Sequence, residues 1–126
     1  MNRKAYDPSS GKVFVFGSNR VGIHGKGAAL YARETRGAVM HQGEGPMPDA
    51  TNPKCYALPT KLGPRLSLSL PEVKRHVDKF PASAASRPDL SFFVTAVGCG
   101  LAGYNDADIA PMFRGAPANC ELPAGW

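Results

Sequence analysis

Two short runs of apolar residues organise the chain. Lys12-Val13-Phe14-Val15-Phe16 is β-branched and aromatic and ends at Gly17, and Phe92-Phe93-Val94-Thr95-Ala96-Val97 repeats the pattern and ends at Gly98. Both predict buried strands. Cys55-Tyr56-Ala57-Leu58, stopped by Pro59, is a third candidate strand, and Cys120-Glu121-Leu122 is a weaker fourth.

Between these runs the apolar spacing changes to that of helices. Ala28-Ala29-Leu30-Tyr31-Ala32-Arg33-Glu34 is rich in strong helix formers and closes at Gly37, and its alanines would let it lie close on a sheet. Ser69 and Glu72 form a capping box with Pro71 in the first turn, and Leu70, Val73, Val77 and Phe80 follow as one apolar stripe. Asn105 and Asp108 start a third helix ahead of Ile109, Met112 and Phe113, ending near Gly115. Residues 40–53 and 82–88 lack either period and read as irregular.

Strands that each run into a helix predict a small three-layer α/β/α fold with a mostly parallel or mixed sheet. Its ligands should bind outside the carboxyl ends of the strands. At 126 residues, with neither repeat nor linker, the whole chain (1–126) is expected to be one domain.

Composition changes this picture little. No apolar run approaches the ~20 residues of a membrane helix. The polar start, Met1 to Ser10 with Arg3, Lys4 and Asp7, has no apolar core, so a cytoplasmic location is expected, with no membrane partner. Cys55, Cys99 and Cys120 share no paired spacing, and His24, His41 and His76 fit no ligand motif, so neither a metal nor a cofactor is expected. The net charge of +5 admits nucleic acid as a partner. The basic residues are scattered, however, and Lys74, Arg75 and Lys79 on one helix read as a solvated face.

The chemistry is concentrated in two glycine loops. Gly17-Ser18-Asn19-Arg20-Val21-Gly22-Ile23-His24-Gly25-Lys26-Gly27 joins the first strand to the first helix, where glycine lets backbone amides approach a phosphate and the helix N-terminus adds partial positive charge. It matches neither the Walker A nor the dinucleotide-binding pattern. Gly98-Cys99-Gly100-Leu101-Ala102-Gly103-Tyr104 follows the later strand in the same way. In a parallel sheet both loops emerge at one edge, so their amides could converge on one diphosphate, with Tyr104 over a ribose or base.

The first loop resembles the macro domain pattern, in which an Asn at a strand end precedes a glycine-rich turn into a small-residue helix; Asn19, Gly25, Gly27 and Ala28 occupy it here, with Ser18 and Lys26 beside them as further candidate ligand contacts. In the second loop, Gly100-Leu101-Ala102-Gly103-Tyr104 resembles the phosphate loop of the same family, a Gly-aliphatic-x-Gly-aromatic run, with Gly98 and Cys99 before it as further candidate ligand contacts. Val97-Gly98-Cys99-Gly100-Leu101 and Tyr56-Ala57-Leu58-Pro59-Thr60-Lys61 look most like the branch containing the terminal ADP-ribose protein glycohydrolases. The resemblance implies binding of ADP-ribose or a related NAD-derived nucleotide, with Asn19 at the distal ribose. It implies an ADP-ribosyl hydrolase in which Asn19 and Lys61 are catalytic and an ADP-ribosylated macromolecule is the substrate. The chain departs from that branch at Ala102, where a catalytic carboxylate is expected, and this favours binding or another mechanism.

Three readings therefore remain open: a hydrolase, a non-catalytic reader or sponge of a free nucleotide signal, and a basic nucleic-acid-binding domain. Two side proposals accompany them. The segment 40–53 is a candidate lid, whose Glu44 would replace the absent carboxylate, and Cys99 with His24 as base is a candidate thiol nucleophile, against plain packing roles for both. Asp7 and Asp49 are the carboxylates considered for reading a base.

Overall fold

The computed structural model describes residues 5–126, so Arg3 and Lys4 lie outside the described residues. Six strands form one mixed sheet: β1 (Val13–Asn19), β2 (Gly45–Met47), β3 (Cys55–Gly63), β4 (Leu66–Ser67), β5 (Phe92–Val94) and β6 (Cys120–Glu121). The order is β2-β3-β1-β5-β6, with β4 also on β3. β3, β1, β5 and β6 run parallel, while β2 and β4 are antiparallel to β3. The helices are α1 (Gly27–Thr35), α2 (Leu70–Val77), α3 (Phe80–Ala85) and α4 (Asp106–Ile109), with 3-10 turns at Pro8–Ser10 and Ala110–Phe113.

Alternation along the strands makes the layers. Val13, Val15, Tyr56, Leu58, Phe92 and Val94 face one side and pack with Val73, Val77, Phe80, Ile109 and Phe113 from α2, α3, α4 and the turn after it. Phe14, Phe16, Cys55, Ala57 and Phe93 face the other side and meet Ala29 and Ala32 of α1. The fold is therefore an α/β sheet covered on both faces. Phe80 is the hub of the first layer, fully buried, with Tyr56, Phe92 and Phe113 ring centroids at 5.0, 5.6 and 6.4 Å. Burial holds the thiol of Cys55 up at about 12 and that of Cys120 at about 11, so both behave as packing groups rather than nucleophiles.

Several boundaries differ from expectation. Gly17 does not end β1, which continues to Asn19 because β3 pairs with it that far. Nor does Pro59 stop β3: β2 covers the outer edge of β3 only to Ala57 and β4 only from Lys61, so Pro59 falls in the interval where an N–H has no partner to bond. β5 is shorter than the apolar run: the Thr95 N–H makes the last ladder bond, to the Val15 carbonyl at 3.1 Å, and the Thr95 carbonyl then accepts from the Val97 N–H at 2.7 Å in a tight turn. The stripe through Phe80 is two helices, because Pro81 sits in a first turn and starts α3, which enters the 82–88 segment read as irregular. The 40–53 segment likewise contains β2, and Leu66–Ser67 pairs with β3 as an unanticipated hairpin.

Candidate functional site

At the carboxyl ends of β1, β3 and β5 lies a cavity of about 540 Å³, a volume ordinary for a nucleotide-sized ligand. Both glycine loops line it. The first supplies Ser18, Asn19, Gly25, Lys26, Gly27 and Ala28, and the second supplies Gly98, Gly100, Leu101 and Ala102. The two loops approach closely: a Cβ on Gly27 would stand 3.8 Å from a methyl of Leu101.

The amides at this junction are open. No hydrogen bond within the described residues engages the N–H groups of Gly25 through Ala29, or those of Gly100, Leu101 and Ala102. The contrast between helix starts explains the first set. α2 and α4 each begin with a complete capping box, built by Ser69 with Glu72 and by Asn105 with Asp108, whereas Lys26 offers α1 no side-chain cap. The N-terminus of α1 therefore presents uncompensated N–H groups and the positive end of its dipole to the cavity.

Charge points the same way. Lys26, Lys61 and Arg65 line the cavity, and no Asp or Glu is among its lining residues. Lys61 is held on β3, where its Cα pairs in register with that of Asn19, so the two residues singled out for chemistry are neighbours. The Lys61 ammonium donates to the Pro64 carbonyl at 2.5 Å. The Asn19 side chain ties its own loop: Nδ2 donates to the Ile23 carbonyl at 2.8 Å and Oδ1 accepts from the Ile23 N–H at 3.0 Å. Asn19 therefore fixes the shape of the turn that presents Gly25.

Three expected ligand contacts fall elsewhere. Tyr104 does not cover the cavity; its hydroxyl donates to the Leu68 carbonyl and its ring packs on the first core layer. Cys99 packs on that layer too, with its Sγ 3.7 Å from the Asp106 carboxylate, and Gly103 closes a turn by donating to Gly100 at 3.0 Å. The Cys99–His24 pairing is also absent: His24 is fully buried on the other side of the sheet, where it packs edge-on against Phe16, and its Nε2 lies 2.9 Å from the Val39 carbonyl.

The 40–53 segment is not a lid. Gly43 presses against the end of β1, where a Cβ would come within 2.2 Å of the Asn19 carbonyl, and Ser18 donates to the Gly43 carbonyl. Glu44 points away from the cavity and accepts from His76 at 2.6 Å, so it does not replace a carboxylate there. Asp7 and Asp49 are both in use as turn caps, accepting from Ser9 and from Thr51 and Asn52. Lys74 and Arg75 lie on α2 but Lys79 falls at the start of α3, and the basic group is partly neutralised, with Lys74 on Asp78 at 2.9 Å and Lys79 on Glu44 at 3.4 Å.

Sequence reading missed Thr60, Pro64, Arg65 and Thr95. Gly63-Pro64 marks a turn at a strand end, and that signal places Arg65 at the ligand edge. It also missed a second cavity of about 260 Å³, lined by Tyr6, Phe14, Phe93, Leu122, Pro123 and Ala124 among others. Thr95 and Ala96 line both cavities, so the two adjoin. The larger is the more polar of the two and its charged side chains are cationic, and the smaller is walled by the rings of Tyr6, Phe14 and Phe93.

No family model, curated protein or solved structure matches this chain. None of the helices among the described residues is long and apolar enough to cross a membrane, and no group of metal-ligating side chains is present among them.

Proposed function

We propose that this chain is a macro-domain-like module that binds ADP-ribose or a related NAD-derived nucleotide. The observation that carries the reading is the uncapped start of α1 facing the open amides of Gly100–Ala102 across a cavity whose charged side chains, Lys26, Lys61 and Arg65, are all cationic. Such an arrangement suits a diphosphate, because backbone donors from two directions can hold it without competing carboxylates. The adjoining aromatic cavity has the character to receive a flat base.

Binding without turnover is the reading favoured here. A lysine that attacks a sugar carbon needs an acid/base partner, and the lining offers none while the Lys61 ammonium is held by a carbonyl. The hydrolase reading keeps one support, the adjacency of Lys61 to Asn19.

A thermal-shift series with ADP-ribose, NAD, AMP and pyrophosphate tests the binding. At a hundred times its dissociation constant the nucleotide adds about 2.7 kcal/mol and raises the melting point by roughly 5 to 15 °C. No shift with any of them overturns the reading. Release of ADP-ribose from modified protein or nucleic acid, lost in Lys61→Ala, would replace the binder with the hydrolase. Affinity for nucleic acid that collapses with salt, with no nucleotide response, would favour the basic surface instead.

A further inference from the structure

Trp126, the only tryptophan, lies outside both cavities, yet it joins them. After β6 the chain lines the smaller cavity with Leu122, Pro123 and Ala124, then turns back. The Trp126 N–H donates to the Pro123 carbonyl at 3.1 Å, and Gly125 adopts φ +86° to permit that turn. The indole then crosses to the opposite layer. It packs on Phe113 at 5.3 Å and its Nε1–H donates to Asp106 at 3.2 Å.

Asp106 opens α4, directly after the second glycine loop, and its carboxylate lies 3.7 Å from the sulfur of Cys99. Cys99 in turn donates its N–H to the carbonyl of Ala96, at 3.1 Å, and Ala96 lines both cavities. A contiguous set of contacts therefore runs from the wall of the aromatic cavity, through one side chain, to the loop that presents the open amides.

We infer that Trp126 is a positioning residue that latches the 122–124 wall to the second glycine loop and so sets the fit of the base while the phosphates are held. This rests on the nucleotide reading. The Asp106 contact needs a donor on the ring, and the Phe113 contact needs only its flat apolar face. The two parts of the latch can therefore be removed separately.

The test is calorimetric titration of the full chain, Trp126→Phe and Trp126→Ala with two probes, ADP-ribose and inorganic pyrophosphate, after a melting curve of each variant. Pyrophosphate reads the amide cradle alone; ADP-ribose reads both cavities. Trp126→Ala should weaken ADP-ribose about tenfold, equivalent to about 1.4 kcal/mol, while changing pyrophosphate less than about twofold. Trp126→Phe, which keeps the stacking ring, should fall between.

Equal loss for both probes, or loss for neither, overturns the latch. So does the unfolding of both variants, which would make Trp126 a core residue. Parent chain that binds pyrophosphate as tightly as ADP-ribose leaves the cradle standing and removes the base cavity, and this inference with it. Parent chain that binds neither overturns the nucleotide reading itself.

Discussion

The two glycine loops that face one another across the larger cavity are built differently. The first is braced along its body: Asn19 clasps Ile23 through both amide atoms, Gly22 lies against the backbone of His41, and Gly43 lies against Asn19. Only its far end, Gly25 to Ala28, is open. The second is braced at its start, where a Cβ on Gly98 would meet Ile109 at 3.1 Å, and Gly100 beyond it has nothing within 4 Å of such an atom. Each loop thus has a packed half and an open half, and the open halves meet. Glycines of identical appearance in sequence serve opposite ends: some admit protein backbone, others leave room for a ligand.

Substitutions at the packed half should have the largest effects. Gly22 has φ +72° and its Cβ would fall 2.5 Å from His41 backbone atoms, so Gly22→Ala should cost about 3 kcal/mol or more in chemical denaturation. A wild-type midpoint would refute the bracing. Asn19→Ala removes both hydrogen bonds to Ile23 and should cost about 2 kcal/mol, with loosened amide exchange confined to 20–25. Exchange rates unchanged in that stretch would mean that the clasp is incidental.

A pH-dependent effect separates the loops from the sheet beneath them. Burial raises Cys55 and Tyr56 on β3 to about 12 each, from ordinary values of 9.0 and 10.0. Their folded-state values lie above the unfolded ones, so the protonated forms favour folding. The resulting stability is present in full below pH 9 and is lost between about pH 9 and 12, by at most about 1.4 kcal/mol per pH unit for each group. Melting points recorded over that range should fall, and Cys55→Ala should reduce the slope; an equal slope would leave Cys55 out of the account.

The smallest stability change belongs to the open half. Gly100→Ala meets no neighbour and should alter stability by no more than about 0.5 kcal/mol. It should nevertheless weaken ADP-ribose, because Gly100 lines the cavity and the added methyl keeps phosphate from the amide. Full affinity in a normally folded Gly100→Ala would show that this loop does not touch the ligand.

Much of the frame was legible from local pattern. The apolar runs at Val13, Cys55 and Phe92 start strands, and both capping boxes start helices where Ser69 and Asn105 predict them. What escaped depends on tertiary pairing. β2 is Gly45-Pro46-Met47, with no alternation of its own, and exists because β3 offers it an edge. Pro59 reads as a stop unless the unpaired interval beside it is known. At the site, the meeting of both loops at one edge follows from the parallel sheet that the sequence pattern predicts, whereas the adjacency of Asn19 and Lys61 comes from the pairing of β1 with β3, which no local pattern gives. Nor is the inward turn of Tyr104 legible: its ring chose a core contact and the Leu68 carbonyl over the cavity, and no spacing rule distinguishes those destinations.

Backbone amide shifts, followed by NMR as pyrophosphate and then ADP-ribose are added to labelled protein, test the central claim most directly. Gly25, Gly27, Gly100 and Ala102 should move together along one saturation curve, with Gly22 still and the 122–124 segment joining only when the base is present. Shifts restricted to one loop, or spread over Lys74 and Arg75 on α2 and Lys79 at the start of α3, would contradict a shared cradle.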